Sequence, residues 1–173
     1  VIHVSGSVDP SRDIEIINLE LALSDLNQIE KRRTRLKKQI STNKEAKLED
    51  DVLEKLKLSL ENENAVRSVS LTDEEKKLIK PLGLLTEKPI IYATNLGEDE
   101  LAKGNSFSEE VNTLANKEGS ECVKISAQVE AELIELGKEE RDDYLNGLGV
   151  EEGGLISLIK ATYRLLGLST YFT

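Results

Sequence analysis

The sequence predicts an α/β fold, a parallel sheet with an inserted antiparallel α-helical coiled coil. Two apolar runs predict the sheet. Ile90-Ile91-Tyr92-Ala93 leads into the polar loop Asn95-Leu96-Gly97-Glu98, and Cys122-Val123-Lys124-Ile125 leads into Ser126-Ala127-Gln128. A stretch of helical spacing separates them, the order of a strand, helix, strand crossover. The insertion is predicted by apolar residues that step by alternating threes and fours from Leu19 to Ile40.

In chain order, Val1 to Val4 reads as a short strand closed by Ser5-Gly6-Ser7 and an Asp9-Pro10 turn. A long helix follows, with Leu19, Ala22, Leu26, Ile29, Leu36 and Ile40 along one seam and Arg33 in its one polar place. Ile14 and Ile17 extend that seam towards the amino terminus. The pattern breaks at Ser41-Thr42-Asn43 and resumes from about Glu45 to Glu61, where Val52, Leu53, Leu56 and Leu60 share a face. Two such helices on a short polar loop make an antiparallel hairpin. Each fully buried Leu or Ile in the paired seams contributes roughly 1.5–3 kcal/mol, so the arm can hold itself together.

Thr72 with Glu75 has capping-box spacing and opens a short helix that ends near Pro81 or Gly83. After the Pro89 strand, Ser106 with Glu109 repeats the spacing, Val111, Leu114 and Ala115 form an apolar stripe, and Gly119 is placed to end the helix. Further helices are expected around Val129 to Leu136, Lys138 to Leu145 and Leu155 to Leu166, the last stopped by Gly167. The expected organisation is a sheet strand in 1–8, a helical insertion over 9–85 with its arm at about 13–61, the rest of the α/β domain over 86–169, and the start of another domain at 170–173.

Composition narrows the function classes. No apolar run approaches the roughly 20 residues that span a bilayer, so no membrane partner is expected. Cys122 is the only cysteine and His3 the only histidine, which excludes an internal disulfide and the usual zinc ligand sets. Cys122 sits between apolar neighbours and reads as a buried, reduced thiol, in keeping with a cytoplasmic setting. The net charge of −10 argues against a general nucleic-acid binder, yet Asn27 to Lys44 carries +6, leaving −16 on the other 155 residues. The chain contains no Gly-x-x-x-x-Gly-Lys-Ser/Thr phosphate loop and no methionine, and it is expected to be a piece of a longer protein.

Several separated segments then occur in one family's order. These are Val1-Ile2-His3-Val4 with Val8-Asp9-Pro10, the Ile17 to Leu26 run, Leu82-Gly83-Leu84-Leu85-Thr86 with Lys88-Pro89, and Asn95 to Glu98. Ser126-Ala127 with Glu130-Ala131-Glu132-Leu133, and Tyr163 to Leu168 with Thr170 to Thr173, complete the set. From end to end the chain resembles the Obg-like ATPases, the YchF subfamily of translation-factor-related P-loop NTPases. The resemblance implies the later half of a P-loop NTPase G domain with its coiled-coil insertion, and a TGS domain starting near Thr170. It also implies that the phosphate loop, both switch regions and the Mg ligands belong to residues outside this chain. No catalytic or metal-binding residue is therefore named, and the chain alone is expected not to hydrolyse nucleotide.

Ordinary GTPases read guanine with Asn-Lys-x-Asp, whose aspartate accepts from guanine N1 and N2 while the lysine stem covers the ring. Here Leu96 stands in the lysine position and Glu98 in the aspartate position. The resemblance implies ATP as ligand, with GTP weaker. In that reading Asn95 orders the loop, the Leu96 backbone addresses the adenine edge while its side chain packs on the ring, and Ser126 and Ala127 close the other side. Glu98 either faces the base or merely extends the acidic Glu98-Asp99-Glu100 run. Gly97 is expected to make the loop flexible, and a plain polar loop after a strand is the bland alternative.

Lys31, Arg32, Arg33, Arg35, Lys37 and Lys38 place six cations in eight residues. They form either a solvated helix surface, partly paired with Glu49, Asp50, Asp51 and Glu54, or a contact to RNA backbone. The family's association with ribosomes favours a ribosome or ribosomal RNA partner. No aromatic residue interleaves the run, which argues against base stacking on single strands. The leading function is thus part of a ribosome-associated nucleoside triphosphatase that prefers ATP to GTP. The opposing class is a non-enzymatic coiled-coil module that binds RNA backbone.

Overall fold

The computed structural model describes residues 8–169, so the strand expected at Val1 to Val4, with His3, and the strand start at Thr170 to Thr173 lie outside the described residues. The chain divides into two compact units, Arg12–Pro89 and, among the described residues, 8–11 with 90–169.

The unit Arg12–Pro89 is helical. Helix α1 (Pro10–Leu36) begins at Pro10 itself rather than after an Asp9-Pro10 turn. Proline suits a first helical position because its fixed φ is already helical and its missing N–H would have had no partner there. Helix α2 (Lys44–Glu61) is capped by Asn43, whose side chain accepts from the Glu45 and Ala46 amides at 2.9 and 3.4 Å. The two helices run antiparallel, since Arg32 meets Glu49 while the earlier Glu30 meets the later Lys57.

Their shared core holds Ile29 and Leu36 from α1 and Val52, Leu53, Leu56 and Leu60 from α2, with Ala22, Leu26 and Ile40 packed at its border. The predicted seam is shorter than its periodicity suggested. Leu19 is 55% exposed and Ile17 54% exposed, because α2 stops at Glu61 and leaves that end of α1 little to pack on. Helix α3 (Asp73–Ile79) has the predicted Thr72/Glu75 capping box and passes into a 3-10 turn at Lys80–Leu82, which contains Pro81.

Asp25 is the residue that the hydrophobic pattern hid. It stands in α1 at 1% exposure and accepts from the Leu85 amide (2.8 Å), the Thr86 amide (2.8 Å) and the Thr86 hydroxyl (2.7 Å). Thr86 Oγ1 in turn accepts from the Val66 amide at 3.2 Å, and its carbonyl accepts from the Arg67 amide at 3.1 Å. One buried carboxylate therefore satisfies donors that would otherwise be stranded where the chain leaves the unit.

In the other unit, β1 (Ile91–Asn95) and β2 (Glu121–Ile125) pair in parallel, in register from Ile91 with Glu121 to Asn95 with Ile125. The crossover is α4 (Ser106–Glu118), ended by Gly119 in the left-handed conformation at φ 68°. Its cap is Asn105, one residue before the predicted Ser106. Asn105 accepts from the Ser108 amide at 2.9 Å and Ser108 Oγ accepts from the Asn105 amide at 2.9 Å, a reciprocal pair that leaves Glu109 outside.

Helices α5 (Ala127–Glu135), α6 (Lys138–Leu148) and α7 (Gly154–Leu166) follow. Tyr92 donates to Glu118 of α4, whereas Glu121 pairs with Arg164 of α7. Because side chains alternate along a strand, α4 and α7 cover opposite faces of the sheet. The strands are half-buried rather than buried, with only Val123 fully enclosed, since each face receives a single helix. Among the described residues no helix is long and apolar enough to cross a membrane.

Asp25→Asn keeps the size of the side chain but sets an NH2 group against amide donors. We expect a loss of about 3 kcal/mol in urea unfolding, because buried donors lose a charged acceptor.

Candidate functional site

The carboxyl ends of β1 and β2 lie side by side, which brings Asn95, Leu96, Ser126 and Ala127 together. Asn95 Oδ1 accepts from the Ala127 amide at 3.0 Å, tying the first loop to the second. The Leu96 amide donates to the Ile125 carbonyl at 2.8 Å and so extends the ladder one residue beyond the strand. Ser126 is 1% exposed and caps α5 through the Val129 amide at 3.5 Å, so its side chain is spent on structure. Asn95 and Ala127 are exposed.

Leu96 is 7% exposed and Leu101 5% exposed, and these two side chains pin the loop at both ends. Between them the Glu100 amide donates to the Gly97 carbonyl at 3.1 Å. The conformation at Gly97 does not itself require glycine. Its φ of −67° is open to any residue, and a Cβ there would meet only Glu100 Oε2 at 3.9 Å.

Glu98 does not stand among Asn95, Ser126 and Ala127 through any hydrogen bond. Its Oε1 lies 3.3 Å from the Tyr144 hydroxyl of α6, and Tyr144 also donates to Glu132 of α5. The bond to Glu132, followed by desolvation, pushes the Tyr144 phenol well above its ordinary range. The same bond, with one from Gln128, holds Glu132 below the usual carboxylate range. Cys122 is half-buried, and burial pushes its thiol up, which suppresses the thiolate.

A third element closes on the same sheet edge. A Cβ on Gly154 would fall 2.8 Å from Ile125 Cα, so the start of α7 touches the end of β2 backbone to backbone. Gly153 offers no side chain to cap α7, and Glu130 supplies the acceptor instead, taking the Leu155 amide at 3.2 Å. Sequence reasoning missed Tyr144, Glu132 and Glu130 as partners of the loops. The consecutive glycines at 153 and 154 before an apolar helix were the available signal for the close approach.

In the helical unit the six cations separate into two groups. Arg32 forks onto Glu49 at 2.6 and 2.7 Å, and Arg33 forks onto Asp50 at 2.8 and 3.3 Å and also pairs with Glu54. These hydrogen bonds raise both guanidinium pKa values further. Lys31, Arg35, Lys37 and Lys38 are exposed and join no ion pair among the described residues. Among the described residues no group of three or more His, Cys, Asp or Glu could hold a metal ion.

Comparison with known proteins bears on this arrangement. The chain is 48% identical over 176 aligned positions to the ribosome-binding ATPase YchF of Bacillus subtilis, covering 100% of this chain and 48% of that protein. The ribosome-binding ATPase YchF of Escherichia coli O157:H7 is 47% identical over 174 positions, with the same coverage. This chain is a YchF homologue. It spans about half the length of the curated relatives it matches. The solved structure of the Schizosaccharomyces pombe YchF GTPase superimposes with a TM-score of 0.84 at 30% identity, covering 96% of this chain and 46% of that one. The α/β arrangement with its parallel strand pair is therefore that of a YchF GTPase. No protein-family model matches the chain.

The contact between α7 and β2 makes Gly154→Ala a test of this edge. We expect a loss of about 1–3 kcal/mol in chemical unfolding, because backbone rather than a flexible side chain must move. Gly97→Ala, whose Cβ meets only a van der Waals contact with Glu100, is expected to leave stability within about 0.5 kcal/mol of wild type.

Proposed function

We propose that this chain supplies the base-reading loops and a coiled-coil arm of a ribosome-associated nucleoside triphosphatase that binds and hydrolyses ATP in preference to GTP. The observation that carries the reading is the brace from Asn95 to Ala127 beside a leucine where a guanine reader has lysine. With its oxygen committed to Ala127, the Asn95 amide retains Nδ2 as a donor. With its N–H committed to Ile125, Leu96 retains its carbonyl as an acceptor. One donor beside one acceptor matches adenine, which presents N7 as acceptor and N6–H2 as donor, whereas guanine presents acceptors at both N7 and O6. The donor set thus fits an adenine nucleotide.

In this reading Asn95 and Leu96 orient the base, Ala127 holds Asn95 in place, and Ser126 fixes the turn behind it. Leu96 acts from its buried position as a wall rather than as a cover on the ring. The nucleotide supplies the anhydride to be hydrolysed. Phosphate contacts and Mg ligation fall to residues outside this chain. The bacterial relatives are named ATPases and the yeast structure a GTPase.

The arm reading draws support from Lys31, Arg35, Lys37 and Lys38, which are free to meet phosphates, while Arg32 and Arg33 belong to the hairpin. This same group is what a non-enzymatic RNA-backbone module would use, and nucleotide binding separates the two functions.

Competitive binding of ATP and GTP to the chain extended upstream to family length is the test. A clear ATP preference is expected, and Leu96→Lys with Glu98→Asp should move it towards GTP. Equal binding or GTP preference in the wild type would overturn the adenine reading. For the arm, replacing Arg35, Lys37 and Lys38 with Gln should flatten the salt dependence of ribosomal RNA binding by roughly 0.7–0.9 log units for each phosphate that is no longer neutralised. Arg33→Gln should instead lower stability and leave that slope nearly unchanged.

A further inference from the structure

The loop that carries Glu98 is tied to α6 by a side chain outside any motif. Tyr144 packs against the cluster of Leu101, Val129, Leu133 and Leu145, which locates its ring. Its hydroxyl then meets two carboxylates, donating to Glu132 and lying 3.3 Å from Glu98 Oε1. A phenol has a single proton, and an ionised carboxylate is an acceptor only. The hydroxyl thus faces two carboxylates with one proton to offer.

We propose that Tyr144 is a positioning residue for base selection, holding Glu98 against α6 and so withholding from the loop a carboxylate that would favour guanine. The proposal rests on the adenine reading given above. Guanine carries adjacent donors at N1–H and N2–H2 that a carboxylate accepts together, and adenine presents no such pair. A Glu98 released into the loop would therefore add an acceptor useful to guanine alone. Leu96 and Leu101 are both buried, so the loop backbone stays where it is and only the Glu98 side chain has freedom to turn. Loss of the phenol hydroxyl removes the one donor between Glu98 and Glu132 and drives the two carboxylates apart.

The test uses the chain extended upstream to family length, with ATP and GTP affinities measured side by side. Tyr144→Phe retains the ring in its cluster, and we expect ATP affinity to stay within about twofold while GTP affinity rises about tenfold, the worth of a charge-assisted hydrogen bond. Adding Glu98→Gln to Tyr144→Phe should abolish that gain, which a general loosening of α6 would not do. Glu132→Gln replaces the charged competitor for the phenol proton with a weaker, neutral acceptor and should not raise GTP affinity. An unmoved ATP to GTP ratio in Tyr144→Phe, with wild-type ATP preference intact, overturns this proposal alone. A wild type without ATP preference overturns the adenine reading and this proposal with it.

Discussion

The parallel pairing of β1 with β2 constrains everything else in the α/β unit. Parallel strands need a crossover, and α4 supplies it on one face while α7 covers the other. The same pairing sets both carboxyl ends at one edge, where open α/β sheets bind ligands. Once Asn95 stands opposite Ile125, the bond from the Leu96 amide to Ile125 and the brace from Ala127 to Asn95 follow within one or two residues of each strand end. The start of α7 approaches so closely that Gly154 has no room for a side chain. A shift of one residue in register would turn Asn95 to the other face and dismantle the loop pair.

The helical unit has its own core and a polar fastening. Its hydrophobic seam pairs α1 with α2, but Asp25 decides where the segment leading to Thr86 lies. A carboxylate with three donors is a directional constraint that packing alone would not supply. Charge is divided in the same way between structure and surface. The forked pairs of Arg32 and Arg33 neutralise the acidic face of α2, so the cation run is smaller as a recognition surface than its sequence density implies. Lys31, Arg35, Lys37 and Lys38 remain exposed.

The loops after β1 and β2 separate into a buried part and an exposed part. Buried Leu96, Leu101 and Ser126 are scaffold, while exposed Asn95 and Ala127 present polar atoms. Glu98 belongs to neither group. Its partner is Tyr144 on α6, which links the chemistry of the loop to helices that follow it in the chain. The curated relatives are about twice the length of this chain.

Much of this architecture was legible in the sequence. The apolar runs located β1 and β2 closely, the threes-and-fours spacing located α1 and α2, and Thr72, Gly119 and Gly167 marked helix ends. Local rules suffice there, because periodicity and capping act within a few residues. Pairing of the basic run with the acids of α2 was expected, but which arginine takes which acid, the bond of Asn95 with Ala127, the burial of Asp25 and the contact of Tyr144 with Glu98 were not legible. Each joins residues between 17 and 61 positions apart whose types are ordinary for an exposed surface. Sequence by itself determined which segments become strands and helices and which loops follow the strands. Tertiary structure alone decided which polar side chains find partners, because a hydrogen bond depends on distance and direction between segments that only the packed chain brings together.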